Sequence, residues 1–200
     1  MKRGIYLIWD LPSAQGVDPA VFFSSLGGRF PCAVQLRAKG AEQPPAVLPA
    51  LLDACVAHGV PLIINDRADW LIDGVYGLHL GQDDGPFPER DDLRFGRSTR
   101  DGTMVRRAAA DPAVDHMGFG PIYATGSKAG LPEARGFDRL AAAVAASGGK
   151  PVIAIGGLDL RGVVEARNRG ASAAAVIGAV WKAADSAKAC RELVEAWEAP

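Results

Sequence analysis

Residues 152–178 read VIAIGGLDLRGVVEARNRGASAAAVIG, and the order of residue types in this stretch decides the fold class. Val152–Ile155 is a short apolar run that ends in two glycines. In Leu160–Gly170, apolar residues return at three- and four-residue steps, as they do on one face of an α-helix. Ala173–Ile177 is a second short apolar run. A buried strand, a helix and another buried strand in this order predict a parallel βαβ unit.

The same unit recurs along the whole chain. Eight apolar runs have the length and composition of buried strands, namely Ile5–Trp9, Ala33–Arg37, Leu62–Ile64, Val75–Leu80, Arg94–Arg97, His116–Phe119, Val152–Ile155 and Ala173–Ile177. Helical periodicity is clear at Ala46–His58, Phe137–Ser147, Leu160–Gly170 and Val180–Glu198, and weak at residues 66–73 and 86–92. Eight strands that alternate with helices predict an α/β chain folded as a single (β/α)8 TIM barrel over residues 1–200. A doubly wound open sheet is the alternative.

The composition excludes several classes of protein. Hydrophobic residues make up 48% of the 200 residues and charged residues 22%, which excludes intrinsic disorder. The net charge of −1 gives no long-range attraction to nucleic acid or to an anionic membrane. No apolar run has the length of a membrane span, and the first residues do not read as a signal peptide. We therefore expect a cytoplasmic protein without a nucleic-acid or membrane partner, with its three cysteines reduced and its oligomeric state left open.

Polar residues gather directly after the predicted strands. They are Gln35, Arg37 and Lys39 around the end of the second strand, Asn65 and Asp66 after the third, Asp84 after the fourth, Ser98 after the fifth, and Thr125, Gly126, Ser127 and Lys128 after the sixth. In a TIM barrel the carboxyl ends of all strands meet at one mouth, where barrel enzymes place their chemistry. The sequence therefore predicts a functional site at that mouth.

Glycines at the ends of strands seven and eight predict a phosphate site on one side of the mouth. Gly157 and Gly178 each precede a predicted helix, whose first amide groups would lack partners. Free N–H groups at a helix start, with no Cβ in the way, bind a phosphate monoester. A tight turn is the alternative for either glycine taken alone.

Charged residues on the other side predict a diphosphate site with a metal ion. Arg37, Lys39 and Lys128 offer cations, and Asp66 and Asp84 offer carboxylates at neighbouring strand ends. Carboxylates hold Mg²⁺, and basic side chains neutralise the remaining diphosphate oxygens. The alternative for Asp66 is an N-cap of the next helix, and that for Asp84 is an ordinary loop residue.

Five segments in their order along the chain resemble thiamine-phosphate synthases. They are Gln35–Lys39, Ile64–Arg67, Gly77–Asp84, Gly118–Lys128 and Ala154–Gly157. The resemblance implies a TIM-barrel transferase of thiamine biosynthesis that uses Mg²⁺. Such an enzyme joins a hydroxymethylpyrimidine diphosphate to a phosphooxyethyl thiazole and releases diphosphate.

The same resemblance implies a role for each candidate residue. It implies catalytic roles for Lys39, Ser98 and Lys128. It implies substrate contacts for Gln35, Arg37, Lys39, Asn65, Ser98, Thr125, Gly126, Ser127, Lys128, Gly157, Ile177 and Gly178. It implies Mg²⁺ binding by Asp66 and Asp84.

The chain departs from the family pattern at several positions. The family commonly has Glu in place of Ala38, His in place of Arg100, Thr in place of Ser127 and Ser in place of Gly178. Trp9 stands at the end of the first strand, where a small polar residue is usual. We expect this large ring to narrow the mouth.

Two other functions stay open. Residues 129–136 are similar to the thiazole tautomerase branch of the same superfamily, which has a catalytic His where this chain has Pro121 and tends to lack the metal acids. Pro121 and Asp84 therefore favour the synthase, unless His79 or His116 replaces the missing base. The third possibility is a protein that binds the thiazole phosphate without turnover.

Overall fold

The computed structural model describes residues 2–124 and 134–200. Eight parallel strands follow one another around a closed barrel, so the predicted TIM barrel is confirmed and the open sheet is wrong. The strands are β1 Gly4–Asp10, β2 Ala33–Arg37, β3 Leu62–Asn65, β4 Gly77–Leu80, β5 Arg94–Thr99, β6 His116–Phe119, β7 Val152–Ile155 and β8 Ala173–Val176. Pairing of β8 with β1 closes the ring.

Helices surround the barrel. They are α1 Pro19–Ser24, α2 Leu48–Ala57, α3 Gly102–Ala110, α4 Gly136–Ala146, α5 Leu160–Asn168, α6 Gly178–Trp181 and α7 Ser186–Glu198. The segment predicted as one helix over Val180–Glu198 is two helices, because Asp185 caps α7 by accepting from the Lys188 N–H at 2.8 Å. Residues 86–92 form no helix, and residues 66–73 contain only a 3-10 turn, Ala68–Trp70.

Helices α1 and α3 have no counterpart among the helices predicted from the sequence. Both begin at an aspartate whose side chain accepts backbone N–H groups of the first turn, Asp18 for α1 and Asp101 for α3. Helix α1 also has Pro19 at its first position, which is typical of a helix start. These capping residues are the local signal that could have predicted the two helices.

Alternation along the strands divides the apolar residues into two layers. On β1, Tyr6 and Ile8 lie inside the barrel, whereas Leu7 and Trp9 lie between the barrel and the helices. The Trp9 ring packs edge-on against Trp181 at 4.8 Å between ring centroids. The expectation that Trp9 narrows the mouth is therefore wrong, because its strand position points the side chain outward.

The three cysteines, Cys32, Cys55 and Cys190, are all buried and unpaired. Burial raises the pKa of each thiol to about 12. They are therefore inert core thiols rather than nucleophiles. Within residues 2–124 and 134–200, no helix combines the length and the hydropathy that a bilayer crossing requires.

Candidate active site

Strand register brings the predicted polar residues to one end of the barrel. Asn65, the last residue of β3, lies level with His79 on β4, and His79 lies level with Gly96 on β5. Ser98 is two residues further along β5, so it shares the inward face with Gly96. The strand ends therefore form the predicted mouth.

Gln35 and Arg37 both point inward from β2, and each has a partner on β1. Gln35 is buried, and its Nε2 donates to the Tyr6 hydroxyl at 3.1 Å. The Arg37 guanidinium forms an ion pair with Asp10, at 2.5 Å between Nη1 and Oδ1, and Ser13 donates to the other Asp10 oxygen at 2.6 Å. Asp10 is a site residue that the sequence analysis missed.

Lys39 lies beyond the end of β2 and is exposed. It lines a cavity of about 370 Å³ together with Leu11, Pro12, Gln15, Ala38 and Ala41. Ala38, which replaces the acidic residue common in the family, is buried in the wall of this cavity. The cavity therefore offers an ammonium group beside a short, uncharged side chain.

Asp66 occupies an unusual backbone conformation directly after β3. Its φ angle is 62°, in the left-handed region, and it is the one non-glycine residue of the described chain with a positive φ. The Arg67 N–H donates to the Asn65 carbonyl at 2.8 Å, which closes a tight turn around Asp66. The N-cap position of the following 3-10 turn is Arg67, so the N-cap alternative for Asp66 is wrong. Strain of this kind is frequent at functional sites.

Asp84 lies in the loop after β4. Its Oδ2 accepts the Gly81 N–H at 2.5 Å, so the carboxylate lies next to the carboxyl end of β4. The Asp66 N–H in turn donates to the carbonyl of His79 on β4. Both acids therefore belong to connections that leave neighbouring strands at the same end of the barrel.

Two buried histidines lie beneath Ser98. His79 Nε2 is 3.0 Å from the Ser98 Oγ, and His79 Nδ1 is 3.4 Å from His116 Nε2. Burial lowers the pKa of His79 to about 3 and that of His116 to about 4, so both rings are neutral at pH 7. Electrostatic interaction with His116 and Arg97 lowers the pKa of His79 further. A neutral imidazole hydrogen-bonded to Ser98 fixes the position of that hydroxyl.

Turns after β6 and β7 pack against each other at the mouth. Gly156 has a φ of 112°, and a Cβ there would lie 2.6 Å from Pro121 Cα, so only glycine fits. Gly157, at φ 70°, follows as an exposed residue. The expectation that α5 starts with free amides is wrong for Gly162, because its N–H donates to Asp159 Oδ1 at 2.8 Å.

The end of β8 leads directly into α6 at Gly178, after the half-buried Ile177. A Cβ at Gly178 would lie 3.9 Å from Lys182 Nζ, so the Lys182 side chain runs back over the first turn of α6. Lys182 is a cation that the sequence analysis missed, although its four-residue spacing from Gly178 is the signal for it. The predicted site residues Thr125, Gly126, Ser127 and Lys128 lie outside the described residues.

The acids at the mouth fit one mode of Mg²⁺ binding. Among the side chains that the structure describes, no three His, Cys, Asp or Glu residues form a site made of protein ligands alone. Mg²⁺ usually keeps several waters and takes one or two carboxylates together with phosphate oxygens of the substrate. Asp66 and Asp84 are the residues that could hold Mg²⁺ in this second mode.

A parallel barrel with cations, carboxylates and glycine turns at its carboxyl mouth defines the class of a TIM-barrel enzyme for phosphorylated small molecules. A family model described as thiamine monophosphate synthase matches residues 22–180. The chain belongs to this family.

Individual relatives agree with the family model. The chain is 38% identical to a thiamine-phosphate synthase of Acidothermus cellulolyticus over 196 residues, which cover 94% of this chain and 92% of that protein. It is 39% identical to a thiamine-phosphate synthase of Anaeromyxobacter dehalogenans, with 98% and 88% covered. A solved thiamine phosphate pyrophosphorylase from Pyrococcus furiosus superposes with a TM-score of 0.82 at 24% identity, covering 98% and 95% of the two chains, and shows the shared fold.

Proposed function

We propose that this chain is a thiamine-phosphate synthase that joins a hydroxymethylpyrimidine diphosphate to a thiazole phosphate and releases diphosphate. The observation that carries this proposal is the arrangement at the barrel mouth of a family member. Lys39, Asp66 and Asp84 follow β2, β3 and β4 at one end of the barrel. Ser98 lies near the same end of β5. Cations and carboxylates there match a diphosphate with a divalent metal, and the glycine turns after β7 and β8 match a phosphate monoester.

The demanding step is heterolysis of the carbon–oxygen bond between the pyrimidine methylene group and the diphosphate. Negative charge then accumulates on the leaving diphosphate, and positive charge on the pyrimidine methylene carbon. Lys39 stabilises the leaving group electrostatically. Asp66 and Asp84 would hold Mg²⁺, which would supply further neutralisation of the charge on the diphosphate. No side-chain nucleophile is needed, because the thiazole nitrogen attacks the methylene carbon itself.

Ser98 and Arg37 orient the pyrimidine substrate. The Ser98 hydroxyl faces the mouth from β5 and is held by His79 from below. Arg37 remains paired with Asp10, but its guanidinium has further N–H donors for phosphate oxygens. Because these groups are fixed before substrate binds, little reorganisation is needed when charge develops.

The thiazole phosphate binds on the opposite side of the mouth. The backbone of Gly157 lines the mouth at the end of β7, and the backbone of Ile177 and Gly178 lines it at the end of β8. Lys182 adds a positive charge beside Gly178. Strands β7 and β8 are neighbours, so the two turns form one side of the mouth. The serine common in the family at Gly178 is absent, and Lys182 compensates for its lost donor.

The described geometry disfavours a thiazole tautomerase. That reaction needs a base, and Pro121 occupies the position of the branch's histidine. His79 and His116 are buried below Ser98, and their lowered pKa values make them weak proton acceptors.

Purified protein incubated with both substrates and Mg²⁺ tests the proposal. We expect thiamine phosphate and diphosphate in equal amounts, neither of them when one substrate is omitted, and a loss of about a hundredfold or more in rate for Lys39→Ala. Isomerisation of the thiazole without coupling would instead identify a tautomerase. Calorimetric binding of the thiazole phosphate without any product would identify a binding protein.

A further inference from the structure

Arg97 is a charged residue on β5 whose role the proposed reaction leaves open. It lies between the inward-facing Gly96 and Ser98, so its side chain points away from the barrel interior. There it reaches the loop after β4, which carries Asp84. Nη1 donates to the Gly81 carbonyl at 2.8 Å and to the Asp84 carbonyl at 3.1 Å, and Nη2 donates to the Gly85 carbonyl at 3.3 Å.

Stacking fixes the far end of the same loop. The Arg97 guanidinium lies 4.3 Å from the centroid of the Phe87 ring, and Phe87 stacks on Phe95 of β5 at 4.7 Å between centroids. Phe87 is therefore held by the aromatic ring and by the cation together. Between Gly81 and Phe87 the loop has no buried residue of its own, so these contacts are its main attachment to the barrel.

A planar guanidinium is required for this combination of contacts. Its five N–H groups spread in one plane, so they reach several carbonyls while the face of the plane rests on an aromatic ring. A lysine keeps the charge but cannot make the same set of directed hydrogen bonds. The residue therefore acts on the conformation of the loop and not only through its charge.

We propose that Arg97 is a positioning residue, which holds the loop 81–87 so that the Asp84 carboxylate is ready to bind a divalent cation at the mouth. This inference rests on the proposed function, because it assigns Asp84 to the metal. Arg97 contacts only backbone carbonyls and Phe87 in this loop, so it does not coordinate the metal itself. The Gly81 N–H donates to Oδ2 of Asp84. This hydrogen bond orients Oδ2 and leaves Oδ1 for the cation.

Mn²⁺ titration in the presence of inorganic diphosphate, followed by electron paramagnetic resonance, tests the proposal without turnover. The variants are Arg97→Met, which keeps the apolar stem, and Arg97→Lys, which keeps the charge. The control is Arg90→Met, because Arg90 belongs to the same β4–β5 connection but contacts only the exposed Asp92. Loss of an outer contact to a metal ligand typically weakens metal binding by about ten- to a hundredfold.

We expect Mn²⁺ affinity to fall about tenfold in Arg97→Met, to fall clearly in Arg97→Lys and to stay unchanged in Arg90→Met. Amide hydrogen exchange in residues 82–86 should become faster in both Arg97 variants and not in the control. Saturating Mg²⁺ should restore most of the turnover number of Arg97→Met, which a general loss of folding would not allow.

Two results overturn the inference and can be told apart. If Arg97→Met binds Mn²⁺ as tightly as the wild type while Asp84→Asn binds it weakly, Arg97 does not position the metal ligand. If Asp84→Asn also binds Mn²⁺ normally, the metal role of Asp84 is wrong and the inference fails with it. Formation of thiamine phosphate by the wild type then shows whether the proposed reaction itself still stands.

Discussion

Replacement of Gly96 by alanine tests how closely the two buried histidines are fitted beneath Ser98. A Cβ at this position would lie 2.2 Å from His116 Nε2 and 2.3 Å from His79 Nδ1, whereas ordinary contacts are 3.4 Å or longer. Each ring would have to move by more than an ångström inside a packed barrel. Overpacking of this kind costs about 1–3 kcal/mol. Loss of the His79–Ser98 hydrogen bond adds about 0.5–1.5 kcal/mol.

We therefore expect Gly96→Ala to lower the free energy of unfolding by about 1.5–4.5 kcal/mol, measured by urea denaturation at pH 7. The matched control is Gly118→Ala, where the added Cβ would lie 3.3 Å from His79 Cε1, so the ring must shift by only a few tenths of an ångström. In a His116→Ala background, one of the two imidazoles next to the new Cβ is absent. Gly96→Ala should therefore lower the free energy of unfolding much less in that background than in the wild type. Equal stability of Gly96→Ala and Gly118→Ala would show that the two imidazole rings are not packed tightly against Gly96.

Three further predictions follow from the site. Asp66→Asn keeps a residue that tolerates positive φ but removes the charge. We therefore expect the turnover number to fall about a hundredfold with little change in the free energy of unfolding, and an unchanged turnover number would exclude the metal role of Asp66. Lys182→Met should raise the Michaelis constant for the thiazole phosphate severalfold and leave that for the pyrimidine diphosphate unchanged. The control Lys188→Met, on the exposed face of α7, should change neither constant. Equal effects on both substrates would contradict the placement of Lys182 at the thiazole phosphate. Burial holds the pKa of His79 near 3 and that of His116 near 4, below the value of about 6.5 in the unfolded chain. The free energy of unfolding should therefore fall as the pH drops from about 6.5 to about 4, by up to about 1.4 kcal/mol per pH unit for each ring. Urea denaturation across this range should show a shallower slope for His116→Gln, and an identical slope would show that this ring is not buried in its neutral form.

The barrel is predictable from the sequence because each strand is a short apolar run with its own turn. The alternation within a strand is equally local: Tyr6 and Ile8 fill the inward positions of β1, so Trp9 points outward. Capping aspartates explain two differences in the helices. Asp185 divides the last helical segment, and Asp101 begins a helix that apolar periodicity does not indicate.

The positions of the site residues are predictable, but their partners are not. Strand ends alone place Ser98, Asp66 and Asp84 at the mouth. The contact of Ser98 with His79 depends on the register between β4 and β5, and the Arg37–Asp10 pair depends on the register between β1 and β2. Neither register is encoded in one segment, because it results from how all eight strands close into a ring.

A crystal soaked with Mn²⁺ and inorganic diphosphate gives the most direct test that the polar strand ends form one anion site with a metal. Anomalous scattering locates the ion without any assumption about the reaction. We expect a peak between the carboxylates of Asp66 and Asp84, with diphosphate oxygens on the ion and Lys39 beside them. A peak at the amino-terminal end of the barrel, or an ion that touches neither carboxylate, would contradict it.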